Sequence, residues 1–448
     1  MRLLRTIACT GPVLLAATAC APTPPSSGTS PPGLLIENVR VFDPRSGTFS
    51  PPTALLVRGN RIAGIGDAGA LATGIAHLDA GGRYALPGLW DAHVHFSFLT
   101  MGGDSLLRAT LEGFVRNGVT SVRDVGGPLD TIGALSRRVA AGEMLGPRVH
   151  YTGPVISRSP LDRDFQQLNA GPLPGTGLVV ETPAEIDAIL DRLVRGGASM
   201  TKAIDRWDAP LLRYFVGAAK ARSLRVVWDP GLPILNPVPI DSALAIGVSS
   251  IEHGRAAWPS VLRDDLRREV EAFLTPGVDY ATGESLLLRL MAMGEASVVP
   301  ERLAALAERW ARTGIYFCPT LRLAERNLEN PPESYRAPFE GLLAVSRLFA
   351  LELSARGVKL LVGQDFIDPA GTVGEMEAMA RAGVSNIEIL RGATLYPAEW
   401  LGVDDRFGTL EAGKTADILI VDRDPLERLE HLGSVWRVVY DGVLQARR

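Results

Sequence analysis

The sequence predicts an α/β fold, a (β/α)8 TIM barrel joined to a small β domain that both terminal segments build together. Two patterns predict it. Through residues 86–401, short apolar runs alternate with longer helical patterns, as parallel βα units require. On either side, in residues 34–85 and 402–448, the chain reads instead as short strands broken by turns.

In the first of these segments Leu34 to Phe42, Thr53 to Val57 and Arg61 to Ile65 read as strands, with Gly59-Asn60 separating the last two. The C-terminal segment repeats the style in Ala416 to Val421 and Val435 to Tyr440, followed by the Asp441-Gly442 turn. Between them the candidate barrel strands end near His95, Asp124, Tyr151, Ile204, Asp229, His253, Thr320 and Asp365. In such a barrel, reactive groups sit at the C-terminal ends of the strands. One helix start is well marked: Thr182 caps it, Pro183 suits its first position, and Glu185 completes a capping box. Arg255 to Glu301 is partly helical and long for a single βα connection.

The chain has 448 residues, is 46% hydrophobic and carries a formal net charge of -4. It can bury one large core plus a satellite domain, and its charge gives no case for a nucleic-acid partner; a small-molecule partner is expected. Its beginning follows a secretory pattern, with basic Arg2 and Arg5, a mostly apolar stretch to Ala19, and small residues before Cys20. Ala17-Thr18-Ala19-Cys20 resembles a bacterial lipoprotein box. That resemblance implies a signal over residues 1–20 and lipidation of Cys20. The Pro/Ser-rich stretch 21–33 then reads as a tether, and the protein as exported and membrane-anchored, in the periplasm or at the cell surface, only through its lipid. Cys9, Cys20 and Cys318 lie in separate segments and offer no disulfide framework. Oligomeric state is not legible.

His93-Val94-His95 is the strongest chemical signal. Side chains two apart on a strand face the same way, so both imidazoles can grip one cation inside a barrel. Pro87-Gly88-Leu89-Trp90-Asp91-Ala92-His93-Val94-His95 resembles the first-strand motif of the amidohydrolase superfamily. Gly118-Val119-Thr120-Ser121-Val122-Arg123-Asp124 resembles that family's second strand, and Gly408-Thr409-Leu410-Glu411-Ala412-Gly413-Lys414-Thr415-Ala416-Asp417 its C-terminal signature. The overall pattern is similar to the imidazolonepropionase and Xaa-Pro dipeptidase branch. However, Gly153-Pro154-Val155-Ile156-Ser157 stands where a Gly-Gly-His loop is expected.

The resemblance implies that the terminal β segments form one sandwich, and that His93, His95, Lys202, His253 and Asp365 are metal ligands, with Lys202 as a carbamate. It also implies zinc or a similar divalent ion, one or two per chain. At strand five the chain departs from the family: Arg225-Val226-Val227-Trp228-Asp229 puts Trp228 where the ligand histidine belongs. Asp229 would then need a bulge to face the site. Trp228, Asp229 and His150 are the candidate pocket residues. The expected activity is hydrolysis of a carbon–nitrogen bond in a non-peptide amide, a cyclic amide or a dipeptide. A metal-activated water attacks, and Asp365 acts as general base and acid. A lipid-anchored binding protein with a degenerate site is the other open reading.

Overall fold

The structure, a computed structural model, describes residues 33–67, 75–158, 173–204, 207–231, 238–255, 257–273 and 280–446. The leader, Cys20 and the tether up to residue 32 lie outside the described residues. No helix of the described residues is long and apolar enough to cross a membrane.

The fold is α/β, with a barrel and a β-rich domain. The first three barrel strands, Leu89–Val94, Val119–Asp124 and Arg148–Tyr151, pair in parallel. The next four, Met200–Ile204, Arg225–Asp229, Ser250–Glu252 and Tyr316–Cys318, form a second parallel run. Hydrogen bonds connect the two runs. Ser199 N donates to Tyr151 O at 3.3 Å on one side, while on the other Leu361 N donates to Phe317 O and Ala92 N to Val362 O, both at 2.7 Å. Residues 359–365 thus stand as the eighth segment, between the seventh strand and the first. Gly363 permits that approach, because a Cβ there would lie 2.6 Å from the His93 Cβ.

Alternation along these strands sorts the side chains. Ala92, Val125, Met200, Val227, Cys318 and Leu361 form one buried cluster. Ala203, Val226, Trp228, Ile251 and Phe317 belong to the larger core shared with the helices. The short strand Val155–Ser157, at the position of the missing Gly-Gly-His loop, pairs in parallel with Lys202 and Ala203. Thr182 caps helix Pro183–Arg195 with the reciprocal Glu185 bond expected from the sequence. The stretch after residue 255 contains helices Trp258–Val261, Asp264–Phe273 and Tyr280–Met293.

The two chain ends meet in one sheet: Tyr84–Pro87 pairs antiparallel with Ile418–Val421, with Leu86 opposite Leu419. Ile36, Val39, Leu55, Val57, Ile418, Ile420 and Val439 bury a separate apolar core there. This shared sheet gives the ends of the chain a structural reason to carry the same strand pattern.

Candidate metal centre

His93 and His95 leave the first strand on one face, as their spacing requires. Their Nε2 atoms lie 3.3 and 3.2 Å from Asp365 Oδ1, and ligand atoms of all three residues fall within 4.8 Å of one another. Both rings are oriented from behind. His93 Nδ1 lies 2.9 Å from Glu252 Oε2 and His95 Nδ1 lies 3.1 Å from Gly126 O. Carboxylate and carbonyl oxygens only accept, so each Nδ1 carries a hydrogen, which leaves Nε2 of each ring facing Asp365 as the atom that would donate to a metal. His93 Nε2 is buried and has no hydrogen-bond partner among the described residues.

This donor set fits a divalent cation. Burial alone would depress the His93 pKa, but the Asp365 carboxylate, with help from Glu252, carries it up to about 9. Asp365 itself is held well below the usual carboxylate range despite its burial, first by His93. The pocket therefore attracts positive charge, which a metal ion supplies in place of a proton.

Glu252 and Arg123 went unnoticed in the sequence. Arg123 Nη2 donates to both Glu252 oxygens at 3.0 and 3.2 Å, its Nε donates to Ala92 O at 2.7 Å, and both side chains are fully buried. Burial opposes ionisation of Glu252, yet Arg123 pushes its pKa below the usual range. Breaking such a pair leaves an uncompensated buried charge. Arg123→Met should therefore lower unfolding free energy by about 3 kcal/mol in a denaturant titration. His93, Glu252 and Cys318 also cluster, but Arg123 occupies Glu252, and burial raises the Cys318 thiol pKa well above normal.

A second polar group lies alongside. Lys202 Nζ and His253 Nε2 each sit 3.1 Å from Asp229 Oδ2, and His253 Nδ1 is 2.8 Å from Thr320 Oγ1. Asp229 thus ties the fourth, fifth and sixth strands together. Burial alone would raise its pKa, but His253 and Lys202 hold it well below normal. Burial likewise opposes the Lys202 charge, and Asp229 overrides it so that the ammonium pKa rises. His253 lies 3.9 Å from Asp365 Oδ2 through Nδ1 and is outside the His93, His95 and Asp365 cluster. His253, Thr320 and Asp365 all adopt left-handed backbone conformations, with φ of 70°, 48° and 57°. Such strain is held by the surrounding structure and clusters at working sites. Glu375, also missed in the sequence, accepts from Leu321 N at 2.9 Å and Arg322 N at 2.6 Å, fixing the backbone just after Thr320.

Three pocket expectations need correction. The fifth strand keeps regular register with the fourth, Ala203 opposite Trp228 and Ile204 opposite Asp229, so Asp229 faces the site without a bulge. Trp228, 1% exposed, consequently points away from the site and packs in the core shared with the helices. His150 stacks on Trp90 at 5.1 Å, and Trp90 in turn meets Phe407. Burial, then the nearby Arg148, drives the His150 pKa down to about 4, and it lines no part of the centre.

A model of the amidohydrolase family matches residues 281–444, which include Asp365 and the C-terminal signature. Ochratoxinase from Aspergillus niger is 23% identical over 390 residues, covering 77% of this chain and 71% of that protein. Its crystal structure aligns with a TM-score of 0.70 at 18% identity, over 93% of this chain and 96% of its own. A prolidase complexed with N-methylphosphonate-L-proline aligns with a TM-score of 0.70 at 21% identity, over 93% of this chain and 100% of its own. The structural likenesses establish the fold. The family match adds that residues 281–444 resemble the amidohydrolase family.

Proposed function

We propose that the protein is a divalent-metal-dependent hydrolase that cleaves an amide, cyclic amide or dipeptide bond of a small molecule by attack of water. The observation that carries this reading is the convergence of the two imidazole Nε2 atoms on Asp365 Oδ1 in a largely enclosed pocket. His93, His95 and Asp365 would hold the ion, with zinc suited to this nitrogen and carboxylate set. A bound divalent cation supplies Lewis acidity and makes water a better nucleophile near neutral pH. Asp365 takes the proton from the attacking water and delivers it to the leaving nitrogen. Lys202 has three N–H donors and directs one to Asp229, leaving others to orient the substrate carbonyl. His253 is fixed by Asp229 and Thr320 as a wall of the pocket rather than a ligand.

Because Lys202 forms an ion pair with Asp229, we assign it as an ammonium rather than a carbamate, and the centre as holding one tight ion. The barrel strands support reading residues 86–401 as a closed (β/α)8 barrel, and the shared sheet supports a composite sandwich over 34–85 and 402–448. The prolidase neighbour's ligand, N-methylphosphonate-L-proline, suggests the first compounds to assay. Zinc-supplemented protein should hydrolyse members of a panel of Xaa-Pro dipeptides and N-acyl amino acids. Asp365→Asn should lose roughly a thousandfold in kcat/KM. No turnover across the panel would favour the lipid-anchored binding protein instead. Export and lipidation rest on the sequence around Cys20. Cys20→Ser should release the protein from membranes, and mass spectrometry finding an unmodified Cys20 would end that proposal.

A further inference from the structure

Thr320, the residue that meets His253, follows the seventh strand and is buried. It sits at φ 48° and ψ 49°, a region that a β-branched residue enters only when its surroundings hold it there. Its Oγ1 lies 2.8 Å from His253 Nδ1. Because the Asp229 carboxylate only accepts, the neutral His253 ring carries its hydrogen on Nε2, and the Thr320 hydroxyl donates to Nδ1. Helix Leu321–Arg326 starts directly after Thr320 and takes no cap from the Thr320 side chain. Its first two amides are met instead from helix Gly371–Arg381, by Glu375.

Glu375 is fully buried, and no cation pairs with it among the described residues. Arg322, whose amide it accepts, turns its guanidinium toward Glu325 and Glu329. Burial pushes the Glu375 carboxyl up to about 8, against the pull of the two amides, and Asp91 and Glu325 add to the rise. Ala378 and Met379, one turn further along the helix, lie in the apolar core, where an apolar side chain at 375 would be buried at far less cost. Packing therefore does not account for Glu375. What it does achieve is local: it fixes the chain immediately after Thr320. We infer that Glu375 is a positioning residue, which keeps Thr320 in its left-handed conformation and so holds the hydroxyl on His253 and the His253 ring against Asp229. The assignment rests on the hydrolase reading in that it treats His253 as a wall of the substrate pocket.

The test is a double-mutant cycle in kcat, measured with zinc-loaded protein on the fastest-cleaved member of the dipeptide and N-acyl amino acid panel. Glu375→Gln keeps one acceptor but turns an amide donor toward the other backbone N–H, so kcat should fall at least about tenfold with zinc content unchanged. Thr320→Gly, which adopts φ 48° freely and lacks the hydroxyl, should lose a similar factor, and Thr320→Ser should stay within about threefold of wild type. Adding Glu375→Gln to Thr320→Gly should cost less than about twofold more, because the hydroxyl that Glu375 positions is already gone. Losses that multiply, loss of zinc, or a kcat in Glu375→Gln near that of wild type would overturn the assignment. Crystal structures give a readout without turnover: in Glu375→Gln, residue 320 should leave the left-handed region and its Oγ1 should withdraw from His253. An unchanged turn there would equally overturn it. Glu375→Met, which removes both acceptors without placing a donor, replaces Glu375→Gln in both measurements if the latter does not fold. A displaced turn in a protein whose wild type hydrolyses no amide would leave the positioning role standing and retire the hydrolase reading.

Discussion

The double variant His93→Ala, His95→Ala should retain less than about a tenth of the wild-type metal and lose roughly a thousandfold or more in hydrolysis, while remaining folded. The two Nε2 lone pairs are the nitrogen donors of the cluster, and Asp365 alone cannot hold the ion. The fold should survive, because Glu252 keeps its Arg123 partner and its Ser250 hydrogen bond after His93 is gone. The lost His93 contact should still cost about 1–3 kcal/mol in a denaturant titration, with the far-ultraviolet circular dichroism unchanged. Stoichiometric metal in the double variant would show that the ion binds elsewhere.

Trp228→His should destabilise the protein by about 3–5 kcal/mol and leave its metal content unchanged. Read as a strand position alone, Trp228 looks like the site of a lost ligand, and histidine there looks like a restoration. The side chain instead packs between barrel and helices at 1% exposure, opposite Ala203 and Ile251, so an imidazole would leave a cavity and bury a polar ring. Asp229→His is the contrasting change. It places the imidazole in the polar group with Lys202 and His253 and removes the carboxylate that pairs with Lys202. Elemental analysis of the two variants side by side checks the assignment of faces. A rise in metal content in Trp228→His would contradict it.

These two positions show where sequence reasoning stops. His93 and His95 were legible because their relation is local: spacing of two on a strand fixes a common face. Thr182, Pro183 and Glu185 were legible for the same reason, since a capping box is closed within four residues. A strand slipped by one residue exchanges its faces. The sequence signals the fifth strand but not which of Trp228 and Asp229 ends on the inside, and the parity came out reversed. Glu252 precedes a recognised histidine and Arg123 lies within a recognised strand, yet their partnership spans 129 positions and is set only when the second and sixth strands face each other. Buried charge on a barrel strand is the signal that was available there. His150 was placed on the correct strand, but its stacking against Trp90 depends on contacts that no local pattern encodes.

The most direct test of this account is metal analysis of the wild-type protein purified from Gly33 onward and dialysed extensively. About one divalent ion per chain is expected, held by His93, His95 and Asp365 beside an uncarboxylated Lys202. Two tightly bound ions would contradict the ion-pair assignment of Lys202 and Asp229, and a protein that binds no divalent metal while still hydrolysing amides would contradict the proposed centre itself.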